Sequence, residues 1–277
     1  MTRARLGLAL GSGSARGWAH IGVIRALEER GLRPHVLVGA SVGALVAASH
    51  AGGRLDALEK WVRALTQREV WRLVDPHLRG GGVMTGNRLM DAIAISVGDP
   101  LIEQLELGFA AVATDLHTGE EVWIREGPVM AAVRASSGVP GLFTPSWYLD
   151  RWLIDGGVVN PLPVSVCRAL GADVIIAVDL SRSVKHDDPE VLRRSQPSLL
   201  ESMSSAVSIM QDSITRSRLV IDPADLVLRP DLQSFQLMDF HRAAEAIEIG
   251  YRHVVQNEAR LEPILARLRS AHPAGSP

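Results

Sequence analysis

The sequence predicts an α/β protein in which helices cover both faces of a mostly parallel central sheet, giving three layers. Short apolar runs typical of buried parallel strands occur at Leu6–Leu10 and Val36–Val38, and each is followed by a stretch with helical periodicity. The chain of 277 residues shows no internal repeat and no linker that divides it into comparable halves. We therefore expect one domain over residues 1–270 and a disordered tail over 271–277.

The first part of the chain alternates strands and helices. The strand Leu6–Leu10 leads through a glycine-rich loop into a helix over about Ala15–Arg30, which ends at a glycine. The second strand leads into a helix that begins after Ser41, and a further helix is predicted over Leu55–Thr66. This alternation of strands and helices predicts that the strands form a parallel sheet.

The rest of the chain adds elements of both kinds. The predicted strands are Gly108–Thr114, Glu121–Ile124, a Trp147–Ile154 hairpin that turns near Asp150 and Arg151, and Val174–Val178. The predicted helices are one capped by Thr85 that ends near Gly98, one from Pro128 to about Ser136, and Pro163–Leu170, Leu199–Leu219 and Asp239–Leu268. Two segments lack periodicity and are expected to be irregular, Val70–Val83 and, as a mobile loop, Ser181–Pro197.

Composition and charge narrow the class of function. Hydrophobic residues make up 47% and charged residues 22% of the chain, which excludes disordered, collagen-like and coiled-coil proteins. A net charge of −2 disfavours a sequence-independent nucleic-acid binder, so no nucleic-acid partner is expected. The single cysteine, Cys167, allows no intramolecular disulfide and no cysteine-based zinc site.

Targeting signals are weak. The longest weakly polar run, Val36–Ser49, is shorter than the roughly 20 residues that span a bilayer. The apolar stretch that follows Arg3 and Arg5 is shorter than the h-region of a signal peptide. We expect a cytoplasmic protein, and transient peripheral contact with a membrane surface stays open. The charge balance would make such contact mainly hydrophobic.

The loop after the first strand reads GSGSARG over Gly11–Gly17 and offers backbone N–H groups at a helix start, where an anion is favoured. A dinucleotide fingerprint requires G-x-G-x-x-G, but Arg16 stands at the third glycine position, and no acidic residue follows the second strand. The Gly-Lys-Ser/Thr of a P-loop is also missing. An anion cradle and a simple tight turn are both compatible with the loop.

The sequence GASVG, Gly39–Gly43, gives a sharper signal. It matches G-x-S-x-G between a buried strand and a helix, which is the context of a nucleophile elbow. Such a turn exposes the Ser41 hydroxyl at the carboxyl edge of the sheet, and the small residues Gly39 and Gly43 avoid a clash across it. The alternative is a serine that caps a helix between two packing glycines.

A serine nucleophile needs a base. The histidines after Ser41 lie in none of the glycine-rich or strand-end contexts that mark a catalytic position, and they are His50, His77, His117, His186, His241, His253 and His272. Asp155 is a better candidate, because it ends a predicted strand and precedes Gly156 and Gly157, which permit close approach of a substrate or backbone. An ordinary Asp-Gly turn is the alternative.

Together, GSGSARG, GASVG and IDGG in this order resemble the patatin-like phospholipase family, most closely its small single-domain bacterial members. The similarity extends over Leu6–Leu180 and includes the segments ASSGVPGLFTP and LGADVIIAVDL. The family pattern near the start is G-G-G-x-R/K-G, and this chain departs from it at Ser12 and Ser14, where many members have glycine. The aspartate motif is unaltered as Asp155-Gly156-Gly157.

The resemblance implies a patatin-like three-layer fold and a Ser–Asp dyad that hydrolyses phospholipid, lysophospholipid or related lipid esters. Ser41 would attack the ester carbonyl and Asp155 would act as general base, with an acyl-enzyme intermediate. It also implies an oxyanion hole in the glycine loop, supported electrostatically by Arg16, with Val42 N–H as a further donor. The loop residues so assigned are Gly11, Ser12, Gly13, Ser14, Arg16 and Gly17. No metal and no cofactor are implied.

Alternatives stay open. The same dyad could serve a thioesterase or an acyltransferase, and a catalytically quiet regulatory protein could use this fold. A conventional triad would instead employ His241 or His253. The expected partner is a lipid or other acyl-ester substrate, and the oligomeric state stays open. The Val70–Met84 segment is expected to border the acyl cleft through Trp71, Leu73, Val74 and Leu78, although these side chains could simply pack a loop onto the core.

Overall fold

The computed structural model describes residues 4–77, 81–181 and 199–270. Its strands are β1 (Leu6–Leu10), β2 (Val36–Ala40), β3 (Gly82–Met84), β4 (Gly108–Asp115), β5 (Glu121–Ile124), β6 (Gly141–Phe143), β7 (Ser146–Tyr148), β8 (Arg151–Asp155), β9 (Val174–Val178) and β10 (Leu226–Leu228). Its helices are α1 (Ala19–Glu29), α2 (Val42–Ala51), α3 (Leu55–Ala64), α4 (Gln67–Leu73), α5 (Asn87–Val97), α6 (Val129–Ser136), α7 (Val164–Ala169), α8 (Leu199–Ile221), α9 (Ala243–Gln256) and α10 (Glu262–Ser270).

The central sheet has the strand order β10-β9-β1-β2-β4-β8-β7, and β5 also pairs with β4. The pairs from β10 to β4 are parallel, whereas β5, β8 and β7 join antiparallel. Every residue of β1, β2 and β9 is buried, as expected for parallel strands covered on both faces. The predicted α/β class with a mostly parallel sheet is confirmed.

Helices on the two faces of this sheet form two hydrophobic clusters. Helix α2 packs against one face, which carries Leu8 and Leu10 of β1. Helix α1 belongs to the same cluster, and α9 packs against α1. Helix α7 packs against the other face, which carries Ala9 and Val38. Alternate residues of one strand therefore belong to opposite layers, which is the consequence of the two-residue period of a strand.

Some predicted elements differ in the structure. A short 3-10 helix, Ser14–Trp18, precedes α1, so the first α-helix begins later than expected. The segment predicted to be irregular after residue 70 begins inside α4, because Thr66 and Glu69 form a capping box that starts a helix there. The Trp147–Ile154 hairpin turns at Leu149 and Asp150, both with positive φ.

The predicted C-terminal helix Asp239–Leu268 is broken. Helices α9 and α10 are separated by a 3-10 helix over Glu258–Leu261. Pro263 lies in the first turn of α10, where its missing N–H costs no hydrogen bond, whereas inside a continuous helix it would. The predicted mobile loop, apart from Ser181, and the predicted tail 271–277 lie outside the described residues.

The ends of several strands bring the predicted site residues to one edge of the sheet. The glycine loop follows β1 and Ser41 follows β2, both at the carboxyl ends of parallel strands. Asp155 ends the antiparallel strand β8 and pairs with Ala113 near the carboxyl end of β4. Separately, none of the helices described in the structure is both long enough and apolar enough to cross a membrane.

Candidate active site

Ser41 occupies a strained turn between β2 and α2. Its backbone angles are φ 58° and ψ −131°, in a region that residues with a side chain rarely adopt. A Cβ atom at position 39 would collide with the backbone of Gly43, and one at position 43 would collide with the carbonyl oxygen of Leu10. The two flanking glycines are therefore required by the tightness of the turn, which is the geometry that a nucleophile elbow needs.

The Asp155 carboxyl is buried beside this serine, with 2% of the residue exposed. Its Oδ1 accepts a 2.7 Å hydrogen bond from Gly157 N–H. Burial raises the pKa of Asp155 from 3.8 to about 6, and interactions with the Ser41 hydroxyl and Gly157 N–H lower it in part. The other carboxyl oxygen, Oδ2, is buried and has no hydrogen-bond partner among the described residues.

Ser136, at the end of α6, holds the backbone of Ser41, and the sequence assigns it no role. Its fully buried hydroxyl accepts a 2.9 Å hydrogen bond from Ser41 N–H and donates a 2.5 Å bond to Val112 O of β4. The strained turn is thereby tied to the neighbouring strand. Position 136 lies 95 residues from Ser41, so no local pattern indicates this contact.

The glycine loop contributes fewer free donors than the sequence suggested. Gly11 N–H donates to Val178 O at 3.0 Å, and Ser12 N–H donates to Pro161 O at 2.9 Å. These two amides are engaged in holding the loop, so their assignment as oxyanion donors is corrected. The N–H groups of Gly13 and Ser14 have no acceptor among the described residues. The candidate oxyanion donors are thereby narrowed to these two, with the first amide of α2 nearby.

Three further residues fix the shape of this loop. Arg16 Nε donates to Gly13 O at 3.2 Å, and Gly17 packs so closely against Val42 that a Cβ there would collide with it. His20 is completely buried and its Nε2 donates to Gly11 O at 2.8 Å. Burial lowers the pKa of His20 to about 4, so the ring is neutral near pH 7. His20 precedes Ser41 in the chain and does not belong to the histidines considered as candidate bases.

Two cavities meet at Ser41. The first has about 910 Å³ of space, including its open mouth, and is lined almost entirely by apolar side chains of several helices, among them Leu73, Val74, Met90 and Phe240. The second, called the polar cavity below, has about 630 Å³ of space and a larger share of polar groups than the first, or apolar, cavity. Asp155 belongs to the lining of the polar cavity. One cavity therefore suits a hydrocarbon chain and the other a polar group.

The expected border of the acyl cleft is partly corrected by this arrangement. Leu73, Val74 and Met84 line the apolar cavity, as the sequence suggested. Trp71 does not line it, and 68% of the residue is exposed to solvent. Leu78 lies outside the described residues. The helical period of α4 explains the difference between Trp71 and Leu73.

Other catalytic arrangements find less support. Neither His241 nor His253 lines the two cavities, and His253 Nε2 accepts a bond from Arg229 N–H at 3.2 Å. Cys167 is buried, and burial raises the pKa of its thiol, which disfavours the thiolate nucleophile. Across the part of the chain that the structure describes, no group of three or more His, Cys, Asp and Glu side chains could hold a metal ion.

Comparisons with known proteins agree with this architecture. Residues 8–168 match the family model of the patatin-like phospholipases. The chain is 47% identical over 179 residues to an uncharacterized NTE family protein of Mycobacterium tuberculosis, covering 65% of this chain and 50% of that protein. It is 29% identical over 271 residues to lysophospholipase nte1 of Aspergillus fumigatus, covering 89% of this chain and 18% of that protein.

The crystal structure of VipD from Legionella pneumophila shares the fold, with a TM-score of 0.51 and 14% sequence identity. That match covers 97% of this chain and 67% of the VipD chain. The family match extends over more than half of the sequence, so this chain belongs to the patatin-like phospholipase family. It spans about half the length of the mycobacterial relatives that it matches.

Proposed function

We propose that this protein is a serine hydrolase of lipid acyl esters that uses Ser41 as nucleophile and Asp155 as general base. One observation carries the proposal. A serine in a strained strand-to-helix turn and a buried carboxyl with a raised pKa line one cavity at the carboxyl edge of the sheet. The apolar cavity that opens on the same serine supports an acyl chain as the substrate's other half.

The reaction proceeds through an acyl-enzyme. Asp155 takes the proton of Ser41 Oγ as this oxygen attacks the ester carbonyl carbon, and the oxyanion accepts hydrogen bonds from Gly13 and Ser14 N–H. Asp155 then gives the proton to the leaving alcohol as the C–O bond breaks. Water attacks the acyl group with Asp155 again as base, which releases the carboxylic acid and restores Ser41.

The environment of Asp155 suits both proton transfers. A carboxyl with a pKa of about 6 is mostly ionised near neutral pH, yet it is a better base than an exposed aspartate. Ser136 and His20 act as positioning residues, since they hold the backbone of the nucleophile and of the glycine loop. The sequence-based expectation of a cytoplasmic protein that contacts a membrane surface transiently is kept as part of this proposal.

Hydrolysis of chromogenic decanoyl esters and lysophosphatidylcholine tests the proposal. We expect Ser41→Ala to lower kcat/KM by about 10³-fold or more, because the nucleophile is removed. Ser49→Ala is the matched control, since Ser49 is a buried serine of α2 that lines neither cavity. Undiminished hydrolysis by Ser41→Ala, or a folded wild type without activity, would contradict the proposal. Added alcohol and thiol acceptors reveal an acyltransferase through a transfer product.

A further inference from the structure

The polar cavity contains a buried hydroxyl that the proposed reaction does not use. Ser12 is 8% exposed, and its Oγ is buried without a hydrogen-bond partner in the described part of the chain. It lines the cavity together with Ser41 and Asp155. A buried hydroxyl without a partner lowers stability because it has lost its hydrogen bonds to water, so a ligand that completes its hydrogen bond would be favoured. Ser12 is also a position where this chain departs from the glycine of the family pattern.

A second polar side chain reaches the same point. A Cβ atom on Gly157 would collide with Gln211 Nε2, and it would lie 2.5 Å from Ser12 Oγ and 2.9 Å from Asp155 Oδ1. A hydroxyl, a carboxamide and a carboxyl therefore converge beside residue 157, and the absence of a side chain there permits their close approach. Gln211 also lines the polar cavity and belongs to α8, an element distant in sequence from the dyad.

The proton transfers determine which part of the substrate faces Ser12 and Gln211 in the polar cavity. Asp155 returns its proton to the leaving alcohol, so the alcohol oxygen must face Asp155 when the C–O bond breaks. The acyl chain is directed into the apolar cavity on the other side of Ser41. The alcohol part of the ester is consequently placed next to Ser12 and Gln211.

We propose that Ser12 Oγ and the Gln211 carboxamide bind a free hydroxyl on the alcohol part of the ester, which makes the enzyme selective for partly acylated glycerol. This inference rests on the proposed function. The two groups are uncharged and can both donate and accept hydrogen bonds, which matches a hydroxyl. The adjacent Asp155 carboxylate disfavours a phosphate at this point. Monoacylglycerols and lysophospholipids both carry such a hydroxyl.

Two esters that share one acyl chain test the assignment. Glyceryl monodecanoate carries free hydroxyls on its alcohol part, whereas propyl decanoate has the same three-carbon alcohol without them. We expect Ser12→Ala and Gln211→Leu each to lower kcat/KM for the glyceryl ester by about 3- to 10-fold, the range of one hydrogen bond. The propyl ester should change by less than about twofold. Ser217→Ala, an exposed position of α8, is the control for both.

Decanoyl lysophosphatidylcholine carries both a free hydroxyl and a phosphate. It therefore distinguishes recognition of the hydroxyl from recognition of the phosphate. We expect its kcat/KM to fall by the same factor as that of the glyceryl ester. A fall for the lysolipid alone would assign recognition to the phosphate, and an equal fall for the propyl ester would assign the two side chains a purely structural role, so either result overturns the inference. Propyl decanoate hydrolysis that persists in Ser41→Ala would instead refute the proposed function itself.

Discussion

The two cavities that meet at Ser41 differ in both chemistry and origin. The apolar cavity is formed by side chains of several helices, including α4 and α5, which contribute shape without directional bonds. The polar cavity is lined mainly by the β1 loop, the segment 139–142, the end of β8 and residues of α8. An apolar wall discriminates poorly between chains that differ by one methylene, whereas buried polar groups discriminate strongly between alcohols with and without a hydroxyl. The difference predicts broad acyl tolerance and a narrower choice of alcohol.

Substitution of Asp155 has the largest expected effect, because the proposed mechanism uses this residue in both proton transfers. We expect Asp155→Asn to lower kcat/KM by about 10²–10⁴-fold, the usual contribution of a general base. The factor should be the same for butanoyl and decanoyl esters and for glyceryl and propyl alcohols. Steady-state kinetics on these four esters measure it. A loss that depends on the alcohol would place Asp155 in recognition rather than in proton transfer.

The next largest expected effect is that of Asp155→Asn on the free energy of unfolding. The folded pKa of Asp155, about 6, lies above its ordinary value of 3.8, so the carboxyl's contribution to stability is complete below pH 3.8 and is lost as pH rises through 6. At about pH 8 the buried carboxylate therefore costs about 3 kcal/mol. We expect Asp155→Asn to raise the free energy of unfolding by about this amount at pH 8 and to change it little near pH 4.

Thermal or denaturant unfolding at both pH values measures this difference. Asp91→Asn, at an exposed position of α5, is the control that should change little at either pH. Burial lowers the pKa of His20 to about 4, so stability is lost as pH falls from 6.5 to that value, equally in wild type and variant. The comparison of the two proteins therefore isolates Asp155. An identical gain at both pH values would contradict burial of the carboxylate as the cause.

The smallest expected effect distinguishes a side chain of α4 that lines the apolar cavity from one that does not. Leu73 and Trp71 lie two positions apart on α4, but only Leu73 lines the cavity. We expect Leu73→Ser to raise KM for decanoyl esters about fivefold more than for butanoyl esters, because a long chain loses apolar contact. Trp71→Ser should show no preference for chain length. Equal effects of Leu73→Ser on both esters would show that the acyl chain binds elsewhere.

Local patterns made the main parts of the fold and the candidate pair predictable. The strands β1, β2 and β9 are short apolar runs. Ser41 follows a strand between Gly39 and Gly43, and Asp155 ends a strand and precedes two glycines. The parallel strands place Ser41 and the glycine loop at one edge of the sheet, whereas Asp155 comes near them through the register of the antiparallel strand β8, in which it pairs with Ala113 of β4. Their roles in the reaction stay predictions. Helix α4 was missed although the capping box of Thr66 and Glu69 is also a local signal.

The rest of the site depends on contacts between distant segments. Ser136 lies in the family-like segment ASSGVPGLFTP, but that segment does not indicate its contact with Ser41. Gln211 and His20 lie near the site because of how α8 and α1 pack. The acceptors of the Gly11 and Ser12 amides come from the end of β9 and from Pro161, so the sequence could not separate engaged from free donors in the loop. Hydrogen bonds between distant segments decide which amides of the loop are free, and the glycine pattern does not show this.

Labelling with a fluorophosphonate tests the Ser41–Asp155 pair most directly. The account predicts one adduct per chain, located on Ser41 by mass spectrometry, with a labelling rate that rises as pH increases through about 6, since the ionised carboxyl is the base. In Asp155→Asn the rate should fall greatly and lose this dependence on pH. Labelling at another residue, or of Ser41 at an equal rate and with the same pH profile in Asp155→Asn, would contradict it.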